Sequence, residues 1–446
     1  MYKVPKMQLN KKNSINFFYI FLTLHLFVWV AIPSITNLNL PLDTIEALAW
    51  GSNLEWGFDK HPPASAFFTE IFYYIFGPQD WAYYLLSQIF VIFSFFIVFK
   101  FSVKILNDNL LALLSVLLLE GIFFYNFTTP EFNVNVCQLP FWSLVVYYSW
   151  KLFEKKEINL VDSILLGSFA AIGFLSKYLF TYLLASILFM FVYLFFIKKD
   201  RKFDFKYIIS IEVFLVLLVP HLVWLFNNDF ITIDYGLART GLEDANLFNH
   251  IKFPLIYLFK QVGILIPFFI LSFLMIGKIK LNLSLKDNKY VFLLFINLLP
   301  ILLMFLTSLI IGVKIRTMWM TPFYLFFGTL VIYIFKDCLN ILKIKNFSYG
   351  FLIIFLLSPI TYAAVSLVKD DKRTDFPGKN IAKKIQLSWN EEFSDPINIV
   401  LGDEWHAGNL SYHLKSRPIW GGSVDQKKLD SYSKYVCIDN ICVGNK

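Results

Sequence analysis

Charge is scarce in this chain. Only 16% of its 446 residues are Asp, Glu, Lys or Arg, 57% are hydrophobic, and the mean hydropathy is +0.60. Soluble domains carry about 25% charge, so a soluble globular class is excluded. Cysteine is almost missing, with four residues, and no His, Cys or carboxylate cluster has metal-ligand spacing. No Walker sequence, GxGxxG or Gly-x-Ser-x-Gly elbow occurs, so nucleotide-binding loops and a serine-hydrolase site have no support. Internal repeats and low-complexity linkers are also lacking. The net charge of +8 implies no nucleic-acid partner; its distribution along the chain is the informative part.

Long apolar runs are what the chain does have. Runs near the roughly 20 residues needed to cross a bilayer recur at 15–35, 82–102, 110–127, 135–153, 160–176, 179–197, 207–226, 253–276, 290–311, 318–335 and 348–367. This predicts an all-α polytopic membrane protein with about 11 transmembrane helices. The first run follows Lys3, Lys6, Lys11 and Lys12. It is too long for a signal peptide and lacks a small-x-small cleavage pattern at Pro33–Ser34, so it reads as a retained helix. Alternate loops are basic: Lys100 and Lys104; Lys155 and Lys156; Lys198, Lys199, Arg201, Lys202 and Lys206; Lys278, Lys280, Lys286 and Lys289; Lys336, Lys343 and Lys345. The opposite loops hold most of the acids, among them Asp43, Glu46, Glu55, Asp59, Glu70, Asp80, Glu131, Asp229, Asp234, Glu243 and Asp244. The positive-inside rule then puts the N-terminus in the cytoplasm and, after an odd number of crossings, the C-terminal part outside.

Two parts are expected, a membrane bundle over 1–367 and a small extracytoplasmic α/β domain over 368–446. In the latter, Ile397–Leu401 reads as a strand, Gly402–Asp403 as a turn, His406–Lys415 as a helix and Pro418–Trp420 as the next strand. Cys437–Ile438–Asp439–Asn440–Ile441–Cys442 reads as two short strands about an Asp-Asn turn. That places the cysteines opposite each other, either bridged or as two free thiols.

The first acid-rich loop, 36–81, predicts short helices from about Asp43 to Trp50 and from Pro62–Pro63 to Phe76. Asp43 and Glu46 have capping-box spacing, Asp43 capping and Glu46 reaching back. Alternatively Asp43 is a general base facing a cleft. Lys60–His61–Pro62–Pro63 is either an ordinary surface turn or a phosphate contact, with His61 held extended by the proline. Thr129–Pro130–Glu131 has helix-start chemistry, yet Glu131 is the only charge in its turn and shares a side with Asp43. Lys314 and Arg316 stand against the positive-inside trend, as snorkelling bases or as donors to a lipid-linked phosphate. Arg239 is a further candidate. Lys177 reads as a boundary anchor, His221 as a core histidine, and Lys260, inside an apolar run, must be paired or face a cavity.

These pieces together resemble a known family. Asp43-x-x-Glu46-Ala47 with Trp50–Gly51 and Gly57–Phe58–Asp59–Lys60–His61–Pro62–Pro63 look like the first exoplasmic loop of bacterial GT-C glycosyltransferases, relatives of protein mannosyltransferases and of lipid A aminoarabinose transferase. Thr129–Pro130–Glu131, Leu175–Ser176–Lys177–Tyr178, Pro220–His221–Leu222–Val223–Trp224 and Lys314–Ile315–Arg316–Thr317–Met318–Trp319 follow in the family's order, as do Gly402–Asp403–Glu404–Trp405 and Arg417–Pro418. The resemblance implies a GT-C fold and an inverting enzyme in the inner membrane. It would move a monosaccharide from a polyprenyl-phosphate donor to a glycolipid or glycan acceptor, lipid A or lipopolysaccharide core being favoured over protein. It implies Asp43, Glu131 and Glu46 as catalytic acids and Lys60, His61, Arg239, Lys314 and Arg316 as ligands of the donor phosphate. No cofactor is required by these motifs, although a divalent metal is compatible with them. A transporter would instead carry its ionisable groups at mid-membrane on broken, repeated helices; here only Lys260 is internal.

Overall fold

The computed structural model describes residues 11–154, 157–199, 203–242, 246–279, 283–424, 432, 434–438 and 441–445. Lys3, Lys6, Lys155, Lys156, Arg201, Lys202, Glu243, Asp244, Lys280 and the Asp439–Asn440 turn lie outside the described residues.

Most of the apolar runs predicted from the sequence are helical, and the local chemistry explains where the helices begin and stop. In chain order they are α1 (Lys11–Thr36), α2 (Leu42–Gly51), α3 (Ala64–Phe76), α4 (Asp80–Leu106), α5 (Asn109–Leu117), α6 (Val134–Cys137), α7 (Leu139–Glu154), α8 (Leu160–Ser176) and α9 (Thr181–Val192). There follow α10 (Lys206–Asn227), α11 (Ile231–Ala238), α12 (Asn249–Met275), α13 (Asn288–Asn297), α14 (Leu299–Ile311), α15 (Phe327–Phe335), α16 (Ile341–Val368), α17 (Gly378–Glu392) and α18 (His406–His413). Asp108 starts α5 by accepting from the N–H groups of Leu110 and Leu111 at 2.8 and 3.0 Å. Asn159, Asp287 and Asn340 cap α8, α13 and α16 in the same way, satisfying donors that have no partner within a helix. Gly312 ends α14 at φ +75, where a side chain is strained and a Cβ would also meet the His250 ring at 2.8 Å.

Among the described residues seven helices are long and apolar enough to cross a membrane: Lys12–Thr36, Asp80–Leu106, Tyr178–Ile197, Lys206–Asn227, Asn249–Met275, Asn288–Ile311 and Leu342–Val368. An eighth candidate, Thr317–Tyr324 with Phe327–Cys338, bends by 50°. The expected run 110–127 is helical only to Gly121, where it tightens to 3-10 geometry and breaks at Ile122. α7 and α8 hold 16 and 17 residues. About 11 crossings is therefore an upper reading of the apolar segments.

One continuous apolar core joins α1, α4, α5, α7, α8, α12, α13 and α15 through buried residues such as Phe18, Phe95, Trp142, Phe268 and Phe292. The C-terminal part has its own core of Ile385, Trp389, Ile397, Val400, Leu410 and Val443. It packs α17 and α18 on a four-stranded sheet of order β2-β1-β4-β3, where β1 is Ile399–Leu401, β2 Ile419–Trp420, β3 Lys434–Ile438 and β4 Ile441–Asn445. β1 runs parallel to β2 and antiparallel to β4. Cys437 and Cys442 are register partners on β3 and β4 and form a disulfide.

The C-terminal part is seated on the first loop. Trp405 and Tyr412 bury beside Leu40, Ile45, Leu48 and Tyr83. Arg417 forks onto Glu70, donates to the Leu48 carbonyl at 2.7 Å and lies over the Tyr73 ring at 4.1 Å. α2 and α3 are themselves in close contact: a Cβ on Gly51 would stand 2.8 Å from the Ala66 carbonyl.

Candidate active site

The capping box expected at Asp43 and Glu46 is not formed. α2 begins at Leu42 with Pro41 in the N-cap position, and no side chain of its own caps it. The cap comes from another loop: the Asp43 N–H donates to Glu131 Oε1 at 3.1 Å. Thr44 Oγ1 donates to the Phe132 carbonyl at 3.1 Å, fixing the same two segments together. Asp43 and Glu46 are thereby both freed from helix capping.

The helix start expected at Thr129–Pro130–Glu131 also moves. Its cap is Asn133, whose Oδ1 accepts from Asn135 N at 2.9 Å and Val136 N at 3.2 Å to begin α6. Thr129 instead takes a hydrogen bond from Gln88 Nε2 at 3.0 Å. With its oxygen committed, Asn133 turns its amide toward the carboxylates of Asp43 and Glu131.

Two acids and a buried lysine meet here. Burial raises the Asp43 pKa, while Lys177, the Asn133 hydrogen bond, Lys60 and Arg239 pull against that rise. Glu131 is pushed up to about 8, first by burial and then by the Asp43 charge. Lys177, 7% exposed, donates to Asn135 Oδ1 at 2.6 Å and lies 5.3 Å from the Trp319 ring centre. Burial pushes it down to about 7; Asp43 opposes this fall and Arg316 adds to it. No carboxylate lies within 4.0 Å of Lys177 among the described residues, so its partners are an amide and a ring.

The expected phosphate ligands divide into two groups. Lys60 is committed to acids: its Nζ is 2.9 Å from Glu46 Oε1 and bonds Glu404 from the C-terminal part. Burial works against the Lys60 charge, but Glu404 and Glu46 prevail and raise its pKa. Glu404 also accepts from Trp50 Nε1 at 3.1 Å and is pushed up to about 7 by burial. Glu46 is the other arm of this clamp. His61 lies edge-on to Trp50 and Tyr235 at 5.8 and 6.4 Å. Burial, then the charges of Lys177, Lys60 and Arg239, push it down to about 3, so it is a neutral imidazole.

Arg239 and Arg316 form the second group. Neither has a carboxylate partner among the described residues. Arg239 is exposed over Tyr235 and its charge reaches Asp43 and His61. Arg316 is half-buried and its charge reaches Lys177. Lys314 is exposed, and its backbone N–H ties its turn to the Thr240 carbonyl at 3.0 Å. His221 is a framework residue, bonded to the Trp56 carbonyl at 2.6 Å and to Tyr178 Oη at 2.7 Å.

Sequence reasoning missed Lys177, Asn133, Asn135 and Glu404 as members of this cluster. Lys177 alone left a signal, a cation interrupting an apolar run. Among the described residues no group of three His, Cys, Asp or Glu side chains is arranged to hold a metal ion.

A mostly apolar groove of about 470 Å³ runs between α9 and α14, lined by Leu303, Leu306, Ile310 and Ile311 with the hydroxyls of Thr181 and Thr307. Lys177 stands one turn before Thr181, and the segment leading to Arg316 leaves α14 directly after Ile311.

Residues 60–224 match the family described as dolichyl-phosphate-mannose-protein mannosyltransferase. In three dimensions the chain superposes on ArnT from Cupriavidus metallidurans bound to undecaprenyl phosphate, with a TM-score of 0.65 at 11% identity, covering 94% of this chain and 87% of that one. The chain has the GT-C fold. The apo state of the same ArnT gives a TM-score of 0.61 at 10% identity, covering 93% and 87%. No curated protein matches this sequence. Within the GT-C chain, the family-matched segment carries Lys60, His61, Glu131 and Lys177, while Asp43, Arg239, Arg316 and Glu404 lie outside it.

Proposed function

We propose that this GT-C chain is an inverting glycosyltransferase that moves a monosaccharide from a polyprenyl-phosphate donor to an envelope acceptor at the outer face of the inner membrane. The observation that carries this reading is the placement of Asp43. A carboxylate with a raised pKa sits in the field of Lys177, Lys60 and Arg239, and the charge of Arg316, which has no carboxylate partner among the described residues, acts on Lys177.

A donor of this type has an isoprenoid tail, an anionic phosphate and a polar sugar. The α9–α14 groove suits the tail. Lys177, Arg316 and Arg239 suit the phosphate; because Lys177 titrates near neutrality, an arriving phosphate favours its charged form. Asp43 accepts the proton of the acceptor hydroxyl as that oxygen attacks the anomeric carbon. The bond from that carbon to the phosphate oxygen breaks, and polyprenyl phosphate leaves with the electron pair. Preorganised cations at a leaving group lower the barrier by about 3–4 kcal/mol per contact, and a positioned base contributes about 10²–10⁴-fold. Glu131, largely protonated at neutral pH, leaves Asp43 as the base and holds the start of α2. Lys60 acts on the site from a clamp with Glu46 and Glu404, which positions the loop.

Lipid A or lipopolysaccharide core is the favoured acceptor. Protein is the second reading, supported by the description of the family matched over 60–224. The topology that goes with this function has a cytoplasmic N-terminus and an extracytoplasmic C-terminal domain over 368–446. The test is to incubate the purified chain with a polyprenyl-phosphate sugar and either extracted envelope lipid or envelope protein. Sugar on either acceptor with release of polyprenyl phosphate supports a transferase; an unconsumed donor with both acceptors refutes it.

A further inference from the structure

We propose that a second cavity, separate from the cationic cluster, binds the phosphate of a membrane lipid on Lys260. This cavity, about 540 Å³, lies between α12, α16 and the 3-10 segment Leu118–Gly121, and Lys260, Glu120, Asn126, Thr317, Ser358 and Thr361 give it its polar lining. Both α12 and α16 are membrane-crossing candidates. Lys260 is the eleventh residue after Asn249, roughly 16 Å along the helix at 1.5 Å per residue. A cation at that depth is costly unless it finds a counter-charge or a wet cavity.

Among the described residues the protein supplies no counter-charge at contact distance. Among the described residues no carboxylate lies within 4.0 Å of Lys260, and it has no hydrogen-bond partner. The acid of the cavity, Glu120, is already occupied. Its Oε1 is 2.7 Å from His25 Nδ1, and its Oε2 accepts from Asn126 Nδ2 at 3.2 Å. Asn126 Oδ1 in turn accepts from Ser358 Oγ at 3.2 Å. Glu120 is 1% exposed and His25 fully buried, so this network forms a buried polar floor. The rim is open: Lys260 is exposed and Leu357 is 57% exposed. One turn further along α12, a Cβ on Gly263 would meet nothing within 4 Å. Long helical side chains lean toward the helix N-terminus, which directs the Lys260 ammonium toward Thr317 and the end of the bundle that holds the site. A phospholipid entering between α12 and α16 can bring a monoanionic phosphate to Lys260 and lay its chains along the exposed Leu357 side. This inference does not rest on the transferase reading, and failure of donor binding at Arg316 leaves it standing.

Native mass spectrometry of the full chain in detergent micelles, titrated with phosphatidylglycerol, phosphatidylethanolamine or diacylglycerol, tests it. The wild type and R316M are expected to retain one phospholipid, Lys260→Arg to keep it, and Lys260→Met to bind it roughly tenfold more weakly or less. Retention of both phospholipids marks the phosphate as the recognised group; retention of phosphatidylglycerol alone marks a net negative headgroup; either supports the site. Undiminished binding by K260M overturns it, as does loss in R316M with retention in K260M. Should K260M not fold, the wild type still decides: diacylglycerol, which has no phosphate, binding as tightly as phosphatidylglycerol overturns the proposal.

Discussion

Replacing Glu131 separates a catalytic acid from a structural one. Its carboxylate accepts the Asp43 N–H at 3.1 Å, and burial with the neighbouring Asp43 charge pushes its pKa up to about 8. At neutral pH the protonated form is then favoured, and Glu131→Gln closely imitates that state. E131Q keeps an oxygen for the Asp43 N–H and should stay within about tenfold of wild-type turnover. E131A leaves the N–H without its acceptor, a cost of about 1–3 kcal/mol, and should lower the melting temperature as well as turnover. The pH dependence carries the sign. The folded pKa lies above the ordinary 4.5 of Glu, so the native state holds a proton that the unfolded chain loses. The associated stability is fully present below about 4.5 and is lost as pH rises through about 8. E131Q should remove this slope. The assay is paired thermal melting and donor turnover from pH 5 to 9. An E131Q enzyme as inactive as a D43N one, with an unchanged stability profile, would refute the assignment of Glu131 as a protonated cap.

Three further outcomes are expected. Lys177, at about 7, is charged below that pH and neutral above it, so donor affinity should fall as pH rises through 7; K177R, which does not lose its proton, should keep affinity to pH 9, and equal profiles would contradict this. R316M should raise the KM for donor by about 10–150-fold, the 1.5–3 kcal/mol of a charged hydrogen bond, with little change in acceptor KM; donor titration reads it, and an unchanged KM counts against Arg316 as a phosphate ligand. R417M strips the fork from Glu70 and should destabilise the contact between the C-terminal part and α2–α3 by about 3 kcal/mol, measured as a lower melting temperature; no change would mean the Arg417 pair contributes nothing.

The apolar scaffold is legible in the sequence because each span is a local property. A run such as 207–226 needs no partner to declare itself, and it forms α10 close to its expected limits. The Cys437–Cys442 hairpin is legible for the same reason, since a two-residue turn fixes the register of both cysteines. The C-terminal strands and α18 were local patterns as well, whereas α17 passed unread because its charged face hides the buried Ala382, Ile385 and Trp389.

What the sequence hid is long-range pairing. Asp43 and Glu46 have the spacing of a capping box, but Pro41 holds the N-cap and Glu131, 88 residues away, performs the task. Lys60 looks like a free base until Glu404, 344 positions later, closes on it. Lys177 looks like a boundary anchor until Asn135 and Trp319 bury it. In each case the residue type is visible in the sequence and its partner is not; for Lys60 the partners are the chain's own acids, Glu46 and Glu404. Arg239 and Arg316 have no carboxylate within 4.0 Å among the described residues.

The most direct measurement is single-turnover transfer by D43N beside wild type, at matched melting temperature and matched occupancy by a polyprenyl-phosphate sugar. The expected result is donor bound as in the wild type with transfer slowed by at least about 10². Transfer at the wild-type rate from a folded, donor-loaded D43N chain would contradict the assignment of Asp43 as the base.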